Sequence, residues 1–146
     1  MFRISQFMRE IAMPTAIGPA RKPPGPVVIW NLVRRCNLTC KHCYSISADK
    51  DFSGELATDE IFRVMDDLKA FRVPCLILSG GEPLLRPDIF EIAAYGTQKG
   101  LRMCMATNGT LINDKVCEDM KASGIRMVSL SLDGSTAERH DSFRGV

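Results

Sequence analysis

The chain has 146 residues, 45% of them hydrophobic and 25% charged, the balance of a globular domain large enough to bury a core. A formal charge of +2 gives no reason to expect nucleic acid as a partner. No apolar run reaches the ~20 residues of a membrane span, and Arg3, Arg9 and Glu10 interrupt the place where a secretory core would lie, so no membrane association is expected and the chain reads as cytoplasmic.

In chain order, Ile4, Phe7, Met8 and Ile11 fall at helical spacing and predict a short amphipathic helix over Phe2 to Ala12. Pro14, Pro19, Pro23, Pro24 and Pro26 then mark an extended linker, so residues 1–26 are expected to stand apart from a domain spanning 27–146. Val27 to Val33 is the first strand candidate. The loop after it carries Arg34-Arg35-Cys36-Asn37-Leu38-Thr39-Cys40-Lys41-His42-Cys43-Tyr44. Thr58 is placed to cap a helix with Ile61, Met65, Leu68 and Phe71 on its apolar face and Asp59 and Glu60 in its first turn. Cys75 to Leu78 is a buried strand, followed by Ser79-Gly80-Gly81-Glu82-Pro83. Pro87 suits the first turn of a second helix that runs toward Gly100. Leu101 to Ala106 is a third strand, Asn113 to Ser123 a third helix stopped by Gly124, and Met127 to Leu132 a fourth strand followed by a loop.

Strand and helix thus alternate about four times with short connections, the pattern of a parallel sheet with right-handed crossovers. No Gly-x-Gly-x-x-Gly follows the first strand, which disfavours a dinucleotide-binding sheet and favours a barrel or partial barrel. Four units cannot close a barrel and would leave a long apolar edge, so the chain is expected to be the N-terminal part of a longer protein.

In parallel barrels the chemistry gathers at the C-terminal ends of the strands. Here those ends carry Cys36, Cys40 and Cys43, then Ser79 to Pro83, then Thr107-Asn108-Gly109, then Ser129, Ser131, Asp133 and Gly134. With no secretion signal, clustered thiols point to metal or catalysis before disulfides. Cys-x-x-x-Cys-x-x-Cys offers three thiolates on one short loop, enough for three corners of a four-iron cluster with the fourth iron left open. Zinc is the competing metal, but a structural zinc site wants four ligands, commonly as two separated pairs, and no second pair exists in this chain. Cys75, Cys104 and Cys117 are dispersed among apolar residues and read as small core residues. The glycines of Ser79 to Pro83 allow backbone to approach a ligand closely, although a tight turn explains them equally well. Asn108-Gly109 is a common turn dipeptide. Asp133 could bind ribose hydroxyls or cap a following helix. Arg34, Arg35 and Lys41 flank the cysteines and could raise a cluster's potential, or could be solvated charge.

With these motifs together, the chain resembles the radical S-adenosylmethionine (radical SAM) superfamily from residue 27 to residue 146. The cysteine trio matches that family's defining motif, with His42 in its usual aromatic position, and Gly80-Gly81-Glu82-Pro83 matches a second motif. The resemblance implies a partial (β/α)6 barrel of the TIM-like type, of which this chain would hold about four units. It implies a [4Fe-4S] cluster on Cys36, Cys40 and Cys43, with SAM chelated at the open iron. The backbone of Gly80, Gly81, Glu82 and Pro83 would hold the methionine amino group, His42 would lie by the adenine, and Ser131, Asp133 and Asn108 would lie near the ribose. The implied chemistry is reductive cleavage of SAM to methionine and a 5′-deoxyadenosyl radical, which abstracts hydrogen from a substrate. It calls for a low-potential electron donor such as a flavodoxin or ferredoxin.

Longer stretches are similar to one branch of that superfamily. The opening Met1 to Ser5, the run Pro23 to Leu32, the loop Cys43 to Asp49, Leu78 to Asp88, and Ser131 to Gly134 followed by His140 to Gly145 resemble the radical SAM proteins of heme d1 biosynthesis. That likeness implies action on propionate side chains of a tetrapyrrole, in heme d1 or alternative heme formation. A neighbouring branch modifies peptides, and a metal-binding module without turnover is the further alternative. Relatives of this kind carry the remaining barrel strands and a C-terminal extension able to bind an auxiliary cluster.

Overall fold

The computed structural model describes residues 25–146. The amphipathic segment expected over Phe2 to Ala12, and the linker up to residue 24, lie outside the described residues. The elements are β1 (Val28–Val33), α1 (Thr58–Ala70), β2 (Cys75–Gly80), a 3-10 turn (Pro83–Leu85), α2 (Ile89–Gln98), β3 (Arg102–Thr107), α3 (Asp114–Ala122), β4 (Met127–Leu130) and α4 (Ala137–Arg144). The four strands form one parallel sheet in the order β1-β2-β3-β4. This is the α/β alternation that the periodicity predicts, and each strand pairs with the next after a crossover helix.

Register fixes which side chains share a face. Val28 pairs with Leu76 and Trp30 with Leu78, while Leu76 pairs with Met103 and Leu78 with Met105. Alternate residues of a strand face the same way, so these line one side of the sheet. Against them pack Ile61 and Met65 of α1, Ile89, Ile92 and Ala93 of α2, and Met120 of α3, a single core in which Ile61, Met65, Leu76, Leu78, Ile92, Met103 and Met105 are 0% exposed. Each such large apolar side chain contributes about 1.5–3 kcal/mol by leaving water. The opposite side chains on this sheet, among them Asn31, Ser79, Ala106 and Ser129 in one register tier, are smaller and more polar. β1 and β4 are the two edge strands, and every residue of β4 is exposed.

Several boundaries depart from expectation for identifiable reasons. Thr58 is the first residue of α1 instead of its cap: Glu60 Oε2 accepts from the Ala57 N–H at 2.8 Å, and Thr58 Oγ1 donates to Asp88 Oδ2 at 2.6 Å. Phe71 leaves the apolar face because the helix ends at Ala70, and the residue is 67% exposed. Pro87 precedes α2, which starts at Ile89 after Asp88; the 3-10 turn at Pro83–Leu85 occupies the intervening chain. Cys104 is buried as expected and Cys75 partly so, but Cys117 is exposed on α3. The loop expected after β4 contains α4, which Thr136 caps by accepting from the Arg139 N–H and which Gly145 ends in a left-handed conformation. Among the described residues no helix is long and apolar enough to cross a membrane.

Candidate cofactor site

The loop from Arg34 to Ala57 has almost no regular structure, so side chains and isolated backbone bonds must hold it. Its two arms meet where Cys36 N donates to Ala48 O at 3.1 Å, beside a bridge between Arg35 and Ala48. Arg34 N donates to Glu55 Oε1 at 2.7 Å, and Arg35 pairs with Asp49 at 2.9 Å and Asp51 at 3.3 Å. Behind the loop, the buried Arg86 makes a forked pair with Asp88 and donates to the carbonyls of Leu56 and Leu32. These bonds tie the loop's far end to the start of α2.

The second polar turn fits against the first. Gly81 N donates to Val33 O at 2.7 Å and Glu82 N to Arg35 O at 2.8 Å, so the turn after β2 continues the sheet pairing into the cysteine loop. The approach requires glycine: a Cβ at Gly80 would run into the Val33 carbonyl, and one at Gly81 into the carbonyls of Arg34 and Arg35. Gly80 also has φ of +142°, where side chains are strained. Glu82 is 0% exposed. Its carboxylate accepts from Thr107 Oγ1 at 2.7 Å, Asn108 N at 2.8 Å and Leu84 N at 3.1 Å. A buried carboxylate with three donors is a fastener between the ends of β2 and β3. Asn108 extends it: Nδ2 donates to Asn37 Oδ1 at 2.9 Å, within the cysteine loop, and lies 3.9 Å from Cys36 Sγ.

These ties produce one cleft of about 190 Å³ at the C-terminal rim of the sheet. Cys36, Cys40, Cys43, His42, Gly80, Gly81, Asn108 and Ser131 all line it. Glu82 and Pro83, expected in the same role, are buried behind the lining. Asp133 is outside it, with Oδ2 held by Arg144 Nε at 2.6 Å and lying 4.0 Å from His42 Nε2. The His42 ring stacks on Phe143 of α4, with centroids 4.5 Å apart and planes 11° from parallel. Lining residues to which sequence reasoning assigns no role include Tyr44, Ser45, Ser47, Ser79 and Arg144. Ser45 and Ser47 carry a readable signal, two hydroxyls at alternate positions directly after Cys43. Arg144 has a weaker one, a cation next to the helix-ending Gly145. Arg34, Arg35 and Lys41 do not line the cleft. Arg34 lies over the Phe52 ring at 4.4 Å, and Arg35 is engaged by its two aspartates.

The three thiols are free and differ in setting. Cys43 Sγ lies 3.4 Å from Ser45 Oγ, which in turn lies 2.5 Å from Ser47 Oγ. These hydroxyls and the backbone N–H groups of Ser47 and Ser45 bring the Cys43 thiol down to about 7. Burial pushes the Cys36 thiol up. Cys40 Sγ accepts from the Arg144 guanidinium at 3.5 Å. The donor set therefore suits a group that binds thiolates: one thiol ionises readily, one has a cation beside it, and the buried one would give up its proton on binding a metal. Among the described residues no three His, Cys, Asp or Glu side chains close on one point as a single ion needs, where sulfurs sit about 2.3 Å from zinc. The three thiols line one cavity. The backbone of Gly80 and Gly81, held against the strand and loop by the lack of Cβ atoms, lines the same cleft.

The Radical SAM superfamily model matches residues 30–146. The AdoMet-dependent heme synthase of Methanosarcina barkeri is 49% identical over 120 residues, which cover 82% of this chain and 34% of that protein. The pre-heme d1 synthase of Dinoroseobacter shibae is 46% identical over 146 residues, covering 100% of this chain and 36% of that protein. The chain thus spans about a third of the length of the curated relatives it matches. Streptococcus suis SuiB, solved bound to S-adenosylmethionine, shares the fold with a TM-score of 0.70 at 22% identity, over 84% of this chain and 28% of that one. The fold is the partial TIM-like barrel of such enzymes, and the family's cofactors are a [4Fe-4S] cluster and SAM. Matched over four-fifths of its length by the family model and by relatives well above 40% identity, the chain belongs to the radical SAM superfamily.

Proposed function

We propose that residues 27–146 form the cofactor-binding part of a radical SAM enzyme acting on the propionate side chains of a tetrapyrrole. The carrying observation is that Cys36, Cys40, Cys43, the Gly80-Gly81 turn, Asn108 and Ser131 line one cleft although they come from four separate strand ends. In this reading Cys36, Cys40 and Cys43 hold three irons of a [4Fe-4S] cluster. When bound, the cluster supplies one electron that splits a carbon–sulfur bond of SAM, giving methionine and a 5′-deoxyadenosyl radical.

The remaining roles belong to the chain's own groups. Gly80 and Gly81 let the turn pack on the backbone of the cysteine loop, so that its own backbone, which lines the cleft, can meet the amino group of SAM. Glu82 acts from behind, fixing Asn108 and the turn without touching the cleft itself. His42, steadied by Phe143, presents an aromatic face for a purine. Ser131 offers a hydroxyl toward the ribose, and Asp133, outside the lining, orients Arg144. A low-potential flavodoxin or ferredoxin would deliver the electron. The tetrapyrrole is favoured over a peptide because the relatives named above, at 46–49% identity, are a heme synthase and a pre-heme d1 synthase.

The test is anaerobic incubation of reconstituted protein with SAM, a strong reductant and a propionate-bearing tetrapyrrole. Formation of 5′-deoxyadenosine together with a mass change in the tetrapyrrole is expected, and Cys40→Ala abolishes both. SAM cleavage that persists undiminished in Cys40→Ala would contradict the cluster assignment. Cleavage that leaves every tetrapyrrole unchanged but modifies a peptide would contradict the substrate.

A further inference from the structure

Arginine is rarely buried unless paired, and Arg144 is only 8% exposed. Its guanidinium has two partners. Nε meets Asp133 Oδ2 at 2.6 Å, and Nη1 donates to Cys40 Sγ at 3.5 Å. Other contacts press the end of α4 against the cysteine loop without using this side chain. Lys41 N donates to Phe143 O at 3.0 Å, Phe143 stacks on His42, and a Cβ at Gly145 would run into Thr39. The guanidinium is therefore delivered to Cys40 by the fold around it.

The other cations near the loop are less well placed. Arg35 is 43% exposed and shared between two aspartates, and Arg34 covers Phe52. Exposed charges of this kind are screened by water and salt. A buried charge acts through a lower dielectric and is felt more strongly. Reducing an iron–sulfur cluster adds one negative charge, which spreads onto its sulfur ligands. Net charge and hydrogen bonds to those sulfurs are the protein's levers on its potential.

We infer that Arg144 is a positioning residue for the cluster: its guanidinium, oriented by Asp133, donates to the Cys40 thiolate and makes the bound cluster easier to reduce. This rests on the reading of Cys40 as a cluster ligand. Asp133 accordingly serves first to aim Arg144, and only through it the cofactor.

The experiment is a redox titration, without SAM, of anaerobically reconstituted protein, reading the reduced cluster by electron paramagnetic resonance and iron by assay. Arg144→Gln keeps a donor and removes the charge; Arg144→Lys keeps the charge and removes the fork. The Gln variant should hold its iron yet need a more negative potential. Its reduced-to-oxidised ratio at fixed potential should fall roughly tenfold, about 59 mV for a one-electron couple, and the Lys variant should recover most of that shift. A Gln variant with the parent potential overturns the inference. So does loss of iron from both variants with residual cluster at the parent potential, which leaves a purely structural role. Failure of the unmodified protein to hold any cluster would instead sink the proposed function beneath it.

Discussion

Cys43 and Cys104 are the same residue in opposite surroundings. Cys43 sits on an irregular loop, where the hydroxyls of Ser45 and Ser47 and nearby N–H groups bring its thiol down to about 7. Cys104 sits inside β3, 1% exposed, with Cys75 Sγ at 3.5 Å, and burial with that second thiol pushes it up to about 11. The difference follows from what the backbone is doing. A strand commits its N–H groups to neighbouring strands, so a cysteine there meets apolar side chains and stays a thiol. A loop leaves donors free to turn toward sulfur. The cysteine loop is held from outside by Glu82, Arg86 and Asn108 so that its own groups can face the cleft, whereas β2 and β3 hold each other.

The largest effect that would sharpen this contrast is expected from Glu82→Ala. It strips the shared acceptor from Thr107, Asn108 and Leu84, and breaking a buried charged network costs about 3–5 kcal/mol. Urea unfolding of the metal-free protein measures it, and a change below about 1 kcal/mol would mean that the rim does not depend on that carboxylate. Next in size is thiol reactivity in the metal-free protein, followed by peptide mapping after alkylation over a pH series. Only the thiolate reacts, so Cys43 modification should be low below pH 7 and half-maximal near it, about 7 being its value here. Cys104 should stay unmodified at pH 9, since its value is about 11. Equal reactivity of the two would erase the comparison. The smallest effect belongs to Cys117→Ser on the exposed face of α3, within about 0.5 kcal/mol of the parent in the same unfolding experiment.

Much of the fold was legible because it depends on local signals. Apolar periodicity located α1 through Ile61 and Met65, Asn113 marked the start of α3, where it proves to be the cap accepting from Val116 N, and Gly100 and Gly124 followed helix ends at positive φ. The helix α4 escaped because it lacks an apolar face. It docks through Phe143, Arg144 and Gly145 onto residues about a hundred positions earlier, a relation no window of sequence contains. The same holds for Glu82. Its motif was visible, but its position behind the cleft emerges only when Thr107 and Asn108 arrive from β3. The cysteine trio was readable because all three thiols lie on one short loop, and the cleft they share was readable because strand ends in a parallel sheet share a rim.

The central claim is that three thiolates hold a cluster with one metal position left for SAM. It is tested most directly by electron paramagnetic resonance of the reduced, anaerobically reconstituted protein before and after adding SAM. The account predicts a [4Fe-4S] signal whose shape changes when SAM is added and which is lost in Cys40→Ala. A signal that SAM leaves untouched, or that survives at full intensity in Cys40→Ala, would contradict it.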